Sequence, residues 1–180
     1  MALQDDLERI AAAAAAQGAV AGVLAAEPAG GGRVYLVALG DEEDDRRRWL
    51  LVDGDGRAVD RRAAVREAAS IVAMCELAGD VAGGGDLHGL REHLVRLRET
   101  EQADVLDAAD AAARELERTI GEPPRVATPA YLDAVGEATL ALERALGDLS
   151  SPFAAALRAG SGAVEEFVRE VERAYAVPLR

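Results

Sequence analysis

The sequence predicts a predominantly helical α+β fold, with an N-terminal helix and a three- to four-stranded antiparallel meander followed by a helical bundle. Short apolar runs separated by turn-forming residues occupy residues 19–59. Apolar residues then recur every three or four positions through the rest of the chain. The chain has 180 residues, half of them apolar. This length predicts a single domain, with subregions 1–82 and 86–180.

The first subregion begins with a helix signal and continues with strand signals. The apolar face of the first helix consists of Leu3, Leu7, Ile10 and Ala14, and Gly18 is a suitable stop. Strands are predicted at residues 19–26, 33–39 and 49–52, and a fourth at 57–59 can pair back after the turn at 53–56. The short connections favour antiparallel pairing between neighbouring strands.

Three helical stripes follow, and their registers differ. The second helix carries Val65, Ala68, Val72 and Cys75 and is expected to end near Gly79. After the glycines at 83–85, heptad spacing relates Leu87, Leu90, Leu94 and Leu97. The next stripe is Leu106, Ala109, Ala113, Leu116 and Ile120. Residues 87–120 therefore form either one long helix with a shifted seam or two helices with a break near Thr100.

The last sixty residues contain clear helix boundaries. Thr128 is a good N-cap, Pro129 suits the first helical position and Gly147 suits the end, which predicts a helix over 129–146. Its stripe is Leu132, Val135, Thr139, Leu142 and Leu146. Residues 151–152 repeat the start signal for a short helix that ends near Gly160. Ser161 then caps a last helix, whose face is Val164, Phe167, Val168, Val171 and Tyr175.

Composition excludes several classes of function. The net charge of −13 argues against binding to nucleic acid or to an anionic membrane surface. All twenty basic residues are arginine, which indicates GC-rich coding and predicts a bacterial source. The acidic start lacks the basic region of a signal peptide, so we expect a cytoplasmic protein. The single cysteine, Cys75, falls in an apolar helical run and is expected to be a buried, inert thiol.

An arginine concentration between residues 44 and 67 is the most unusual local feature. It contains Arg46, Arg47, Arg48, Arg57, Arg61, Arg62 and Arg66 against six acids. Guanidinium groups bind carboxylate and phosphate in bidentate fashion, and a helix N-terminus also favours an anion. An anion-binding site is therefore predicted at Arg57, Arg61 and Arg62, around the start of the second helix. The alternative is a solvated loop whose arginines pair with residues 41–45.

Two further patterns resemble fragments of metal sites. Asp53, Asp55 and Asp60 resemble part of a calcium loop, but Ala64 stands where the terminal glutamate belongs, so a hairpin turn is favoured. His88 and Glu92 lie one helical turn apart, whereas His93 points about 100° away from Glu92. Surface positions on a helix explain these residues, and no metal, cofactor or catalytic site is predicted. Trp49 is expected in the core or at an interface.

These observations favour a non-enzymatic interaction or regulatory protein that forms a homodimer. Low aromatic content and several Leu/Ala stripes suggest that helical faces associate, through Leu87, Leu90, Leu94 and Leu97 or the 132–146 face. The helix–three strands–helix order of residues 1–82 resembles, at fold level, acidic dimeric bacterial chaperones that bind secreted partners, although the later helices exceed that fold. The alternative is a binding protein or enzyme that uses the arginines of residues 46–66 on an anionic ligand.

Overall fold

A computed structural model describes residues 2–40, 47–83, 92, 94–95, 103–121, 124–146 and 152–175. The helices are α1 (Leu3–Ala14, followed by a 3₁₀ turn at Ala15–Gln17), α2 (Arg62–Gly83), α3 (Ala103–Ile120), α4 (Pro129–Leu146) and α5 (Pro152–Ala174). The strands are β1 (Val20–Ala26), β2 (Val34–Leu39), β3 (Arg48–Asp53) and β4 (Val126–Ala127). The chain is 66% helical, which confirms the predicted α+β, mostly helical class.

The four strands form one mixed sheet in the order β3-β2-β1-β4. β1, β2 and β3 pair as the predicted antiparallel meander, with Val23 opposite Val37 and Leu36 opposite Leu51. The fourth strand is β4, which runs parallel to β1 and was not predicted. It is joined to the sheet by the Glu27 N–H, which donates to the Ala127 carbonyl at 2.9 Å.

The segment predicted as a fourth strand, 57–59, makes an isolated antiparallel bridge to β3 instead. Ala58 lies opposite Val52, and the Val59 N–H donates to the Leu51 carbonyl at 2.8 Å. The bridge stays short because α2 begins at Arg62, only a few residues later. The chain therefore turns back along β3 for little more than one residue pair before it becomes helical.

Chain contacts group the described residues into two compact units. One comprises Met1–Ala73, Arg125–Pro129 and Ala163–Arg180, and the other Met74–Pro124 and Ala130–Gly162. We call them the sheet unit and the helical unit. The predicted division into subregions 1–82 and 86–180 stays a prediction. None of the helices within the described ranges combines the length and apolar character that a bilayer-spanning segment requires.

The sheet unit buries the meander on both of its faces. Successive side chains along a strand point to opposite faces of the sheet. One face packs against α1 in a cluster of Ile10, Ala14, Ala25, Tyr35, Val37, Leu39, Leu50 and Val52. On the other face the ring of Trp49 meets the ring of Phe167 from α5 edge to face, with centroids 5.5 Å apart. Trp49 is therefore a core residue, which is one of the two environments predicted for it.

The helical unit is held by aliphatic contacts. Its core consists of Val81, Leu94, Leu106, Ala109, Ala113, Leu116, Ile120, Val135, Ala138, Leu142 and Leu146. This confirms the predicted α3 stripe in full and the bounds of α4. In α4 the buried face is rotated slightly, because Ala138 is buried while Leu132 and Thr139 are only half-buried. Leu87, Leu90 and Leu97, and the question of a break near Thr100, lie outside the described residues.

The prediction of two helices after residue 151 is wrong, because α5 is a single helix over Pro152–Ala174. Gly160 and Ser161, interpreted as a stop and a cap, lie inside it. Gly160 instead permits close contact with α2: a Cβ at this position would lie 3.2 Å from Leu77 Cγ and 2.9 Å from Cδ2. A glycine inside a helix can thus allow a neighbouring side chain to come close, and it does not have to end the helix. The end of α2 was likewise predicted too early, since the helix continues from Gly79 to Gly83.

This interpretation of Gly160 is testable with two alanine substitutions in α5. A Cβ at Gly160 meets Leu77, whereas a Cβ at Gly162 has nothing within 4 Å. Both substitutions gain the same helix propensity, about 1 kcal/mol. Overpacking costs about 1–3 kcal/mol, so we expect the free energy of unfolding of Gly160→Ala to fall below that of Gly162→Ala by that amount. Equilibrium unfolding in urea measures both.

The control is the double variant Leu77→Ala with Gly160→Ala. Shortening Leu77 removes the atoms that the new Cβ would meet, so in that background Gly160→Ala should stabilise the protein as Gly162→Ala does. Equal effects of the two single substitutions would show that Gly160 has no packing role.

Candidate anion-binding cleft

The arginines between residues 46 and 66 do not form one cluster in the described structure. Arg48, at the start of β3, donates to the Gln17 carbonyl at 2.7 Å. Arg57, in the hairpin after β3, pairs with Asp55 at 2.7 Å, and both side chains are largely exposed. Arg66, on α2, pairs with Glu172 of α5 at 3.0 Å. Arg46 and its acidic neighbours at 41–45 lie outside the described residues.

The three predicted anion ligands occupy different positions around the start of α2. The carbonyl of Arg61 accepts hydrogen bonds from the Ala64 and Val65 N–H groups at 2.9 and 3.1 Å, so Arg61 fixes the first turn of the helix. Arg62 is the first residue of α2 and lines a cleft. Arg57 already has a carboxylate partner in its own hairpin and does not line that cleft. An anion site made of all three stays a prediction.

The cleft at Arg62 is a surface depression of about 380 Å³ in the sheet unit. Its lining consists of Arg62, Val65, Arg169, Glu172, Arg173 and Tyr175, and we call it the arginine cleft. Its volume lies in the range of small-molecule sites. One wall is the first turn of α2, and the other is the last two turns of α5.

Helix periodicity explains how α5 contributes its two arginines. Arg169 and Arg173 are four residues apart, so they lie on one face of the helix, one above the other. Like charges at this spacing destabilise a helix. Arg62 is also placed unfavourably, because it begins α2, where the helix dipole favours negative charge and no acidic residue occupies the first turn. An anion in the cleft would therefore offset the unfavourable position of Arg62 and the repulsion between Arg169 and Arg173, although Arg173 also lies in the last turn of α5, where the helix dipole favours a cation.

None of the three arginines of the cleft is neutralised by another residue that the structure describes. Within the described part of the chain, Arg62, Arg169 and Arg173 make no ion pair, whereas Arg66 just outside the cleft approaches both Glu172, at 3.0 Å, and Glu165, at 3.9 Å. Glu172, the only carboxylate among the described lining residues, is thus engaged on its Arg66 side. In a chain with net charge −13, this leaves a local excess of positive charge.

Tyr175 and Val65 supply the apolar part of the lining. Val65 is buried, and the ring of Tyr175 is held by its hydroxyl, which donates to the Val59 carbonyl at 2.6 Å. Burial raises the pKa of the Tyr175 hydroxyl, and the carboxylate of Asp60 raises it further. The backbone of Tyr175 forms a parallel bridge with Trp49 of β3. The ring is therefore fixed from both ends.

Sequence reasoning identified Arg62 and missed Arg169, Arg173 and Tyr175. The missed residues lie more than a hundred positions further along the chain and meet Arg62 only through the packing of α5. The available signal was the spacing of Arg169 and Arg173, which places two cations on one face. That spacing is also common on solvated helix surfaces, so it was not distinctive.

The hairpin interpretation of residues 53–56 agrees with the structure. Asp53 Oδ1 accepts the backbone N–H groups of Asp55 and Arg57, each at 2.9 Å, and Gly56 adopts a left-handed φ of 79°. The carboxylate of Asp53 is thus used to close the turn. Across the described ranges, no three His, Cys, Asp or Glu side chains form a group that could hold a metal ion.

The other candidate residues are described only in part. Glu92 is helical and exposed, and His88 and His93 lie outside the described residues. Cys75 is buried, as predicted for the chain's single thiol.

Comparison with known proteins adds no relative. No protein-family model matches the chain, and neither a curated protein nor a solved structure gives a significant match.

The role of Asp53 can be tested by removing its turn-closing carboxylate. Asp53→Ala leaves two backbone N–H groups without their acceptor, so we expect the free energy of unfolding to fall by about 1–2 kcal/mol. Asp53→Asn keeps an acceptor oxygen and should lose less. Millimolar calcium should leave the melting temperature of the wild type unchanged. A rise in melting temperature with calcium that Asp53→Ala abolishes would mean that the loop binds the metal.

Proposed function

We propose that this protein binds a small organic anion in the arginine cleft and acts as a non-enzymatic binding or regulatory protein. One observation carries the proposal: three arginines without ion-pair partners among the described residues line a single cleft of a strongly acidic chain. Surface arginines in such a chain have many acids to pair with, as Arg66, Arg114 and Arg118 do. An anion from solution would be the missing partner of the cleft.

The lining favours binding over catalysis. Its two groups that could transfer a proton are already engaged, since Glu172 pairs with Arg66 and Tyr175 donates to the Val59 carbonyl. The remaining polar groups are guanidiniums, which stay protonated and serve as fixed cations. These contacts support a site that holds and recognises a ligand.

Substitution of the cleft arginines tests this function. A panel of phosphates, nucleotides and organic acids would first be screened by thermal shift, and affinities then measured by calorimetry. A hydrogen bond to a charged group contributes about 1.5–3 kcal/mol, so Arg169→Ala or Arg173→Ala should weaken binding about 10- to 100-fold. Glu172→Gln should strengthen it, because it removes the one negative charge among the described lining residues.

Arg118→Ala is the matched control, because Arg118 is an exposed arginine of α3 that pairs with Glu115. It should leave the affinity unchanged. The intrinsic fluorescence of Trp49, the only tryptophan, gives a second readout, since its backbone bridges to Tyr175 in the cleft. The absence of any anion that shifts the melting temperature, or equal losses in Arg118→Ala and Arg173→Ala, would refute the function.

We also propose that the chain forms a homodimer through its helical unit. Of the leucines first considered for this role, Leu94, Leu142 and Leu146 are buried inside the unit. Large apolar side chains on other helix surfaces support association instead. Met74 is 44% exposed, Leu140 51% and Val95 64%. Exposed apolar side chains mark an interaction surface when they form one contiguous patch, and the proposed interface requires this of Met74 and Leu140.

Sedimentation velocity at micromolar concentration tests the dimer. We expect a dimer for the wild type and a monomer for the double variant Met74→Glu, Leu140→Glu, because charged side chains would be desolvated at the interface. Ala141→Glu is the control, since Ala141 is an exposed neighbour of Leu140 on α4 with a small side chain. A monomeric wild type would refute the dimer and would leave the cleft proposal untouched.

A further inference from the structure

The charge of the arginine cleft indicates the charge of its ligand. Three arginines (Arg62, Arg169 and Arg173) and one glutamate (Glu172) line the cleft. Arg66, which lies outside the cleft, pairs with Glu172 at 3.0 Å, so the three cleft arginines stay without an ion-pair partner among the described residues. A ligand with two negative charges would pair with more of these cations than a monoanion would.

The number of guanidinium groups indicates how the two charges are arranged. Arg169 and Arg173 lie on one face of α5, and Arg62 approaches from α2, so three hydrogen-bonding forks line the same cleft. A phosphate monoester has three terminal oxygens that share two charges at neutral pH, so that several forks can bind one group. A single carboxylate has two oxygens and one charge, which is fewer acceptors than three forks can use.

The size of the cleft indicates that the ligand is more than a phosphate ion. The volume of about 380 Å³ lies in the range of sites for small organic molecules, which is more than a five-atom ion fills. The ring of Tyr175 and the side chain of Val65 line the rest of this space. Because Val65 is only 1% exposed, the half-buried ring of Tyr175 supplies most of the apolar contact to an organic group attached to the phosphate.

From these observations we infer that the arginine cleft selects a phosphate monoester whose organic group is apolar or aromatic. The inference rests on the proposed anion-binding function and specifies its ligand class. The phosphate lies among the three guanidinium groups, and the organic group lies against Tyr175 and Val65. Selectivity follows from charge matching at one end and from apolar contact at the other.

Three small probes separate these contributions in calorimetric titrations of the full chain at pH 8. Phenyl phosphate carries two charges and a ring, methyl phenyl phosphate has the same ring but one charge, and inorganic phosphate has the charge without the ring. Losing one of two charges removes a charge-assisted contact, so phenyl phosphate should bind about tenfold tighter than its methyl ester. It should likewise bind more tightly than inorganic phosphate.

Substitutions at Tyr175 test the apolar half of the site. Tyr175→Phe keeps the ring and removes the hydroxyl that donates to the Val59 carbonyl, so its affinity for phenyl phosphate should stay closer to that of the wild type than the affinity of Tyr175→Leu does. Tyr175→Leu removes the ring, so the affinity for phenyl phosphate should fall toward that for inorganic phosphate. Circular dichroism confirms that each variant is folded.

The outcomes distinguish the inferred ligand class from the proposed anion-binding function on which it rests. Binding of phenyl phosphate and its methyl ester with equal affinity would overturn the selection for two charges while leaving anion binding intact. Equal affinities for phenyl phosphate and inorganic phosphate, or no effect of Tyr175→Leu, would overturn the role of the organic group. If no probe binds and no other anion of the screen does, the binding function itself fails.

Discussion

Burial of β2 on both faces is the constraint on which the sheet unit depends. Every residue from Tyr35 to Leu39 is at most 6% exposed, so each face of this strand needs its own cover. The first cover is α1, which immediately precedes the sheet in the sequence. The second includes α5, whose Phe167 packs on Trp49 at the far end of the chain. The chain has only six aromatic residues, and four of them lie in this unit.

The arginine cleft is a consequence of that second cover. Phe167 faces the sheet, and Arg169 and Arg173 follow it on α5 at angles that bring them to the start of α2. Arg66 then ties the two helices together through Glu172 at 3.0 Å. The residues that stabilise the sheet unit thus also determine where its positive charge gathers. The two helices that line the cleft are thus held in place by the core of the sheet unit.

The sequence predicted the fold where the deciding signals were local. The bounds of α4 were predicted correctly because Pro129 and the residue after Leu146 mark both ends. The three meander strands were placed to within one residue because turn residues flank them. In α5 the same local reasoning failed. Gly160 was interpreted as the end of a helix, but it lies inside α5, where the absence of a side chain leaves room for Leu77. Half of the cleft was missed for a related reason: Arg62 has a local context that favours anions, whereas Arg169 and Arg173 acquire theirs from packing.

The pairing of β4 with β1 has a consequence for the order of folding. Ala25 and Val126 are partners in the sheet although about a hundred residues separate them, and only two residue pairs join these strands. Closing so long a loop costs entropy that two pairs recover poorly, whereas the β1–β2 and β2–β3 hairpins close over a few residues. We therefore expect the meander to assemble before β4 joins it. Its amides should accordingly exchange with solvent deuterium sooner than those of β2, which makes this edge the first part of the sheet to open.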